Sequence, residues 1–287
     1  MSRVMTRKRR AAAWAFSLSL LAFAGGCAQT QTTTTPAQSA APSASLPAVD
    51  VGRDRSTASD ETDPQKRARI RLDLAGAYFA EGQWNTALDE VKQALAASPD
   101  LPQALNLRGL IYAELGENQL AEDSYRRALQ VAPGDGDVMH NYGWFLCARQ
   151  RYEEADALFQ RALATPQYRT PSRTLLVQGI CEARSGRLDQ AEATLKRAYE
   201  LDAGNPATAM NLADVLLRLG QYDRARFYVR RVNNNPELRN AESLWLAARI
   251  ERRLGNPQGV RDLGNQLRSR YPASREAAAF ERGAFNE

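Results

Sequence analysis

Small apolar residues return about every 34 positions along this chain of 287 residues. Ala75, Gly109, Gly143, Gly179, Ala213 and Ala248 form one series, with steps of 34, 34, 36, 34 and 35. Twelve residues behind runs a second: Ala87, Ala121, Ala155, Ala191, Ala225 and Val260. Seven further on comes a third: Ala94, Ala128, Ala162, Ala198, Val232 and Leu267. Large residues, among them Tyr78, Tyr112, Leu146, Leu216, Tyr125 and Phe159, fill the spaces beside the small ones. Between the first and second series stands a glycine, at Gly82, Gly116, Gly186, Gly220 and Gly255, with Gln150 the exception. Glycine suits a helix C-terminus because it enters the left-handed region without a Cβ clash. The pattern predicts a repeated pair of antiparallel helices that touch where their side chains are smallest.

Each repeat ends near a proline, at Pro99, Pro133, Pro166, Pro206, Pro236 and Pro272. Proline favours helix ends and first turns. A helix–turn–helix unit of 34 residues with this pattern is the tetratricopeptide (TPR) signature. The expected fold is all-α: a TPR solenoid of six repeats forming a right-handed superhelix. The repeats fall at about 68–101, 102–135, 136–171, 172–205, 206–240 and 241–273. The tail from Ser274 to about Arg282 is expected to form a helix that caps the last exposed face. No segment reads as a strand.

The N-terminus has a different pattern. Arg3, Arg7, Lys8, Arg9 and Arg10 precede an apolar run from Ala11 to Ala24, followed by Gly25, Gly26 and Cys27. A basic start, a short apolar middle and a small-residue site describe a secretory signal peptide. The run falls short of the roughly 20 residues that a spanning helix needs. The site resembles a bacterial lipobox, cleaved before a cysteine that takes a diacylglycerol thioether, although Ala24 stands where such sites usually carry Leu. Ala28, rather than Asp, follows the cysteine; in lipoproteins of this kind that implies sorting to the outer membrane, facing the periplasm. The expected organisation is a signal peptide over 1–26, a lipidated tether over 27–64, repeats over 65–273 and a cap or tail over 274–287. The stretch 28–60 is rich in Thr, Ala, Ser and Pro, so it buries too little apolar surface to offset its ordering entropy. Such a tether has a root-mean-square reach of roughly 30 Å.

Cleavage changes the charge balance. The whole chain has 38 basic and 33 acidic side chains, a net +5. Residues 1–26 hold five of the basic groups and no acidic one, which leaves 33 of each in the mature chain. The basic character is a property of the signal, and nucleic acid is not an implied partner. The remaining charge is uneven. Residues 61–160 hold 16 acidic and 10 basic groups, whereas 218–275 hold 13 arginines and five acidic groups. That arginine-rich stretch reads either as a solvated face or as a docking surface for an acidic partner or anionic membrane.

Candidate chemistry is sparse. His140 is the single histidine, so neither a His-based zinc site nor a Ser-His-Asp triad is available. No Gly-rich phosphate loop is present. The reading is non-enzymatic, without metal, cofactor or small-molecule substrate; the thin enzymatic alternative is His140 beside Asp137 and Asn141. Cys147 and Cys181 fall on the first helices of the third and fourth repeats. The periplasm permits a disulfide, but solenoid helices sit 8–10 Å apart and a disulfide needs Cα atoms within about 7 Å. Both are therefore expected to be buried free thiols.

Binding is what remains. In a TPR array the first helices line a concave groove through their second, fifth, ninth, twelfth and thirteenth positions. Counting from each repeat start places Leu72, Phe79, Leu110, Trp144, Leu176, Ile180, Met210, Leu217 and Trp245 there. Asn106, His140, Asp214, Arg249 and Arg253 supply polar groups among them. An apolar floor with scattered polar groups suits an extended peptide or a partner helix. Gly76, Leu110 and Trp144 at the ninth positions of the first three repeats exclude the clamp that some TPR proteins use for C-terminal carboxylates.

One segment is more specific than the repeat itself. Asn141-Tyr142-Gly143-Trp144-Phe145-Leu146-Cys147 resembles the third-repeat motif of the type IV pilus biogenesis/stability lipoproteins known as PilW or PilF. The long turn from Pro166 to Pro171, the Gly179-Ile180-Cys181 segment, Glu242 to Leu246 with Ala248-Arg249, and Leu267 to Pro272 are also similar to that family. The likeness covers about 65–273. It implies an outer-membrane pilotin, lipidated at Cys27, that binds the type IV pilus secretin subunit and promotes its localisation or multimerisation. The rival expectation is a TPR scaffold lipoprotein for another envelope assembly: cell-wall, polysaccharide-export or outer-membrane protein machinery.

Overall fold

A computed structural model describes residues 63–166 and 168–285. The expected signal peptide, Cys27 and the tether lie outside the described residues. Thirteen helices and no strand occur among the described residues. They form six hairpins and one further helix: α1 (Pro64–Ala80) with α2 (Trp84–Ala97), α3 (Pro102–Glu114) with α4 (Asn118–Val131), α5 (Gly136–Ala148) with α6 (Tyr152–Ala164), α7 (Pro171–Arg184) with α8 (Leu188–Leu201), α9 (Pro206–Arg218) with α10 (Tyr222–Asn233), α11 (Ala241–Arg253) with α12 (Pro257–Arg270), and α13 (Arg275–Glu281). The architecture is a TPR solenoid.

Local chemistry sets the boundaries. Asp63, Asp135, Asn205, Asn240, Asn256 and Ser274 accept hydrogen bonds from backbone N–H groups in the first turns of α1, α5, α9, α11, α12 and α13, which satisfies donors the helix itself leaves unpaired. Proline opens α1, α3, α7, α9 and α12. Inside the hairpins, the turn glycines adopt φ between 69° and 84°. Gln150 takes φ 62° at the same place in the third hairpin, so the repeat geometry imposes the left-handed conformation even on a residue with a Cβ.

The two helices of a hairpin meet at the first small-residue series. A Cβ added to Gly109 would lie 2.7 Å from the Tyr125 ring, one added to Gly143 2.6 Å from Phe159, and one added to Gly179 2.5 Å from Leu195. Each large partner stands sixteen residues on, in the second helix, and is buried. Where the first helix carries Ala75 or Ala213, the residue sixteen on is Val91 or Val229. Volume is conserved across the pair: Gly faces Tyr, Phe or Leu, while Ala is matched by Val. In the last hairpin Ala248 corresponds to Gly264, and Phe280 of α13 fills the space against Gly264.

Successive hairpins are joined by more than apolar packing. Glu122 of α4 accepts from Tyr142 Oη of α5 at 2.9 Å and from Arg151 Nη1, just before α6, at 2.8 Å. Arg126 contributes a third donor at 2.5 Å. Burial pushes the Glu122 carboxyl up, but the hydrogen bonds from Arg151 and Tyr142 and the two guanidinium charges outweigh it and hold the group below its usual range. The long turn before α7 is fixed by Tyr168, whose hydroxyl lies 2.7 Å from Thr174 Oγ1. Its ring covers Gly136, where a Cβ would come within 2.6 Å.

Cys147 of α5 and Cys181 of α7 form a disulfide, with Cα atoms 5.8 Å apart. This corrects the expectation of free thiols. An 8–10 Å spacing is measured between helix axes, and each Cα cylinder has a radius of about 2.3 Å. Residues on facing sides therefore approach within disulfide range.

Two stability outcomes follow from this packing. Gly143→Ala is expected to lower unfolding free energy by about 1–3 kcal/mol, the cost of overpacking a filled core, read as a lower urea midpoint. The double variant Cys147→Ala/Cys181→Ala, which opens a loop of 34 residues, is expected to lose about 3–4 kcal/mol relative to the oxidised protein. A reductant should then leave its melting temperature unchanged.

Candidate binding groove

The first helices α1, α3, α5, α7, α9 and α11 contact one another in sequence, forming the inner row of the solenoid. Of the fourteen residues expected on the groove, twelve remain accessible: Leu72, Phe79, Asn106, Leu110, Trp144, Leu176, Ile180, Met210, Asp214, Trp245 and Arg249 in part, and Arg253 as an exposed side chain. His140 and Leu217 do not. They are 3% and 8% exposed, which removes both from any ligand-contact role. His140 Nδ1 lies 2.8 Å from Thr174 Oγ1 of α7, and its ring sits 6.4 Å from that of Phe159. The fifth position of the third repeat is thus spent on the junction with the fourth. Leu217 packs with Leu216 and Val215 into the core beneath α9.

The accessible residues separate into three local arrangements. Near the N-terminal end, Phe79 packs against Trp84 with ring centroids 5.0 Å apart. In the middle, Asn141 Nδ2 donates to Asn106 Oδ1 at 3.2 Å, and the Arg184 guanidinium lies 5.0 Å over the Trp144 ring. This cation–π contact leaves Trp144 partly open, with a positive group held at its face. Toward the C-terminal end, Met210, Asp214, Trp245 and Arg249 line one hollow of ≈ 350 Å³ together with Asn211, Glu242 and Leu246. Arg249 Nη1 pairs with Asp214 Oδ1 at 3.5 Å. That hollow has an aromatic wall, one ion pair and the Asn211 amide, whose Nδ2 donates to Ala207 O at 2.8 Å, a combination suited to an extended segment with both apolar and polar side chains.

Asn211 and Glu242 were not singled out from sequence. Glu242 occupies the second position of its repeat, a groove position by the same count, so the signal was present. Asn211 stands one residue past a groove position, and only the roll of α9 brings it to the hollow. Trp245 is bounded by Phe285, with centroids 5.0 Å apart, and by Phe280 at 6.4 Å.

Two other buried titratable groups lie outside the groove. Desolvation raises the Glu182 carboxyl on α7 above its usual range, and nearby Asp156 adds to that, while a hydrogen bond with Thr194 and the Arg187 charge oppose it. Desolvation lowers His140 from 6.5 to about 4, and the Arg173 charge adds to the effect. Among the described residues no group of three or more His, Cys, Asp or Glu side chains is arranged to hold a metal ion.

Comparison with known proteins agrees with this geometry. Tetratricopeptide repeat family profiles match residues 76–116, 100–167, 146–206 and 183–237. The crystal structure of PilW, described as a widely conserved type IV pilus biogenesis factor, superposes with a TM-score of 0.71 at 33% identity, covering 75% of this chain and 98% of that one. The solved structure of Pseudomonas aeruginosa PilF superposes with a TM-score of 0.66 at 26% identity, over 77% of this chain and 99% of its own. By sequence, the type IV pilus assembly protein PilF of P. aeruginosa is 29% identical over 222 residues, 76% of this chain and 86% of that protein. Helix pairing, turn geometry and these matches define a TPR protein. Within that class, the chain belongs to the type IV pilus biogenesis family that PilW and PilF represent.

The buried imidazole gives the fold a pH signature. With a folded-state value of about 4 against 6.5 unfolded, the unfolded chain takes up the proton first as pH falls. The His140 contribution is therefore complete above pH 6.5 and lost progressively toward pH 4, by about 1 kcal/mol per pH unit. Glu182 acts with the opposite sign above its usual range, so the test is a difference. Urea midpoints of the wild type should fall more steeply than those of His140→Gln between pH 6.5 and 4.5.

Proposed function

We propose that this protein is a non-enzymatic pilotin of the type IV pilus system: a lipoprotein anchored through Cys27 to the outer membrane, which binds the secretin subunit in its groove and promotes secretin multimerisation. Membership in the PilW and PilF family supports the pilus setting. The observation that carries the binding role is the inner row of first helices, where Leu110, Trp144, Met210 and Trp245 stay partly accessible on one side of the solenoid. Accessible aromatic side chains on a preorganised scaffold act as anchors for a partner segment. Covering an apolar or edge-strand segment of an unassembled subunit hinders its aggregation until subunits meet.

The role assigned to each part is separable. The lipid on Cys27 directs the protein, the tether gives reach, and the groove holds the client. No cofactor enters this reading. The covalent acyl group serves as an anchor, and no described helix is long and apolar enough to cross a membrane.

The test is a blot for detergent-resistant secretin multimers in fractionated membranes of cells lacking this protein. Loss of multimers, restored by the wild type and not by Cys27→Ala, is the expected result. Trp144→Ala should weaken binding of purified secretin tenfold or more, the range for an aromatic anchor, with its circular-dichroism melt unchanged. Normal multimers in the outer membrane of the deletion strain would overturn the proposal.

A further inference from the structure

On the opposite side from the groove, one second helix breaks the pattern of the others. Residues two positions after the second small-residue series face solvent in every repeat: Asp89, Asp123, Ala157, Ala193, Phe227 and Asp262 are all exposed. Five of them are acidic or small. Phe227 on α10 is a large aromatic ring, and it is 54% exposed. A half-exposed Phe stands here at a position that elsewhere takes Asp or Ala, so this repeat alone places an aromatic ring on the outer face.

Its surroundings are cationic. The Arg231 guanidinium lies 5.9 Å from both the Phe227 and the Tyr199 ring centres, and Phe227 meets Tyr228 edge-on at 5.0–5.1 Å, as does Tyr199. Arg230 and Arg231 have no acidic partner within 4.0 Å among the described residues. The acidic groups nearby are already engaged: Glu192 by Arg224 at 2.5 Å and Asp223 by Arg226 at 2.8 Å. Over Tyr222–Asn233, four arginines stand against one aspartate. The exposed Leu201 of α8 is flanked by Glu200 and Asp202.

We propose that the outer face of the fifth repeat, centred on Phe227 with Arg230 and Arg231, seats against an anionic phospholipid surface. Charge complementarity favours a negative partner. The outer face of a TPR solenoid has no groove to enclose a peptide, whereas a fluid headgroup layer needs none. A ring carried between arginines enters the headgroup–acyl boundary while the guanidinium groups stay with the phosphates. The proposal rests on the reading that the chain works beside a membrane. Contact through this face would leave the inner row of first helices open to a client.

The test uses the full mature chain with Cys27→Ser, so that no acyl group drives binding, and large vesicles of phosphatidylethanolamine with or without phosphatidylglycerol. Co-sedimentation requires neither secretin nor the lipid anchor, so its outcome is independent of the pilotin reading. Binding to the phosphatidylglycerol vesicles is expected, and it should weaken strongly between about 50 and about 500 mM salt. Arg231→Ala should lower partitioning roughly fivefold, the effect of one basic group near an anionic surface. Phe227→Asp restores the residue type of three other repeats and should lower partitioning further, with an unchanged thermal melt. Failure to sediment at low salt, equal binding to neutral vesicles, or binding undiminished in Phe227→Asp overturns the proposal. So does a dimer in sedimentation velocity that Phe227→Asp abolishes, which assigns the face to a second copy, or saturable binding of a polyglutamate peptide tighter than that of vesicles, which assigns it to an acidic protein.

Discussion

The close approach of two helices inside each hairpin is the constraint on which the rest of this structure depends. It requires a missing or minimal side chain in the first helix and a matched volume sixteen residues later. Gly109, Gly143 and Gly179 admit Tyr125, Phe159 and Leu195 to the space their own side chains would fill, and Ala75 and Ala213 are matched by Val91 and Val229. Because cores are close-packed, this matching fixes how near and at what roll the helices lie. The roll then decides which residues of the first helix turn inward to the next repeat and which stay on the groove. The final hairpin has Gly264 where others carry a bulky residue, and it borrows Phe280 from α13 to complete the same packing unit.

The junction of the third and fourth repeats receives an unusual share of specific bonds. The Cys147–Cys181 disulfide joins α5 to α7, His140 and Tyr168 converge on Thr174, and Gln178 Nε2 donates to Asp156 at 2.7 Å. This is also where the repeat spacing lengthens from 34 to 36. Extra turn residues would loosen an inter-repeat contact held by apolar packing alone. Covalent and hydrogen-bonded ties restore the registry, and Trp144 is presented from the helix they anchor. A rigid junction next to an accessible aromatic residue costs less ordering entropy on binding than a mobile one.

The surface divides its chemistry between the two sides of the solenoid. Inward-facing first helices leave aromatic and aliphatic groups partly accessible beside the ion pair Asp214–Arg249. Outward-facing second helices expose charges, most of them engaged with neighbours, except around Phe227. The arginine excess of residues 218–275 is therefore not one uniform face. Arg249 belongs to the groove, Arg224 and Arg226 balance carboxylates, and Arg230 and Arg231 remain for solvent or a partner.

The repeat, the turn positions and the small-residue contacts were legible in the sequence, because each depends on residue size or backbone freedom at a fixed helical spacing. Even Gln150 marked its turn by standing in the glycine series. The family likeness was legible as well, in the segment from Asn141 to Cys147. What only the tertiary structure decided concerns pairs on different helices. Position counting put His140 and Leu217 on the groove, yet a side chain at the edge of a helix face meets solvent or the next helix according to the interhelical roll. An expected helix spacing of about 8–10 Å kept Cys147 and Cys181 apart, yet the spacing of axes says nothing about how close facing Cα atoms come. Periodicity along one helix is written in the chain; the distance between two faces is set by everything packed between them.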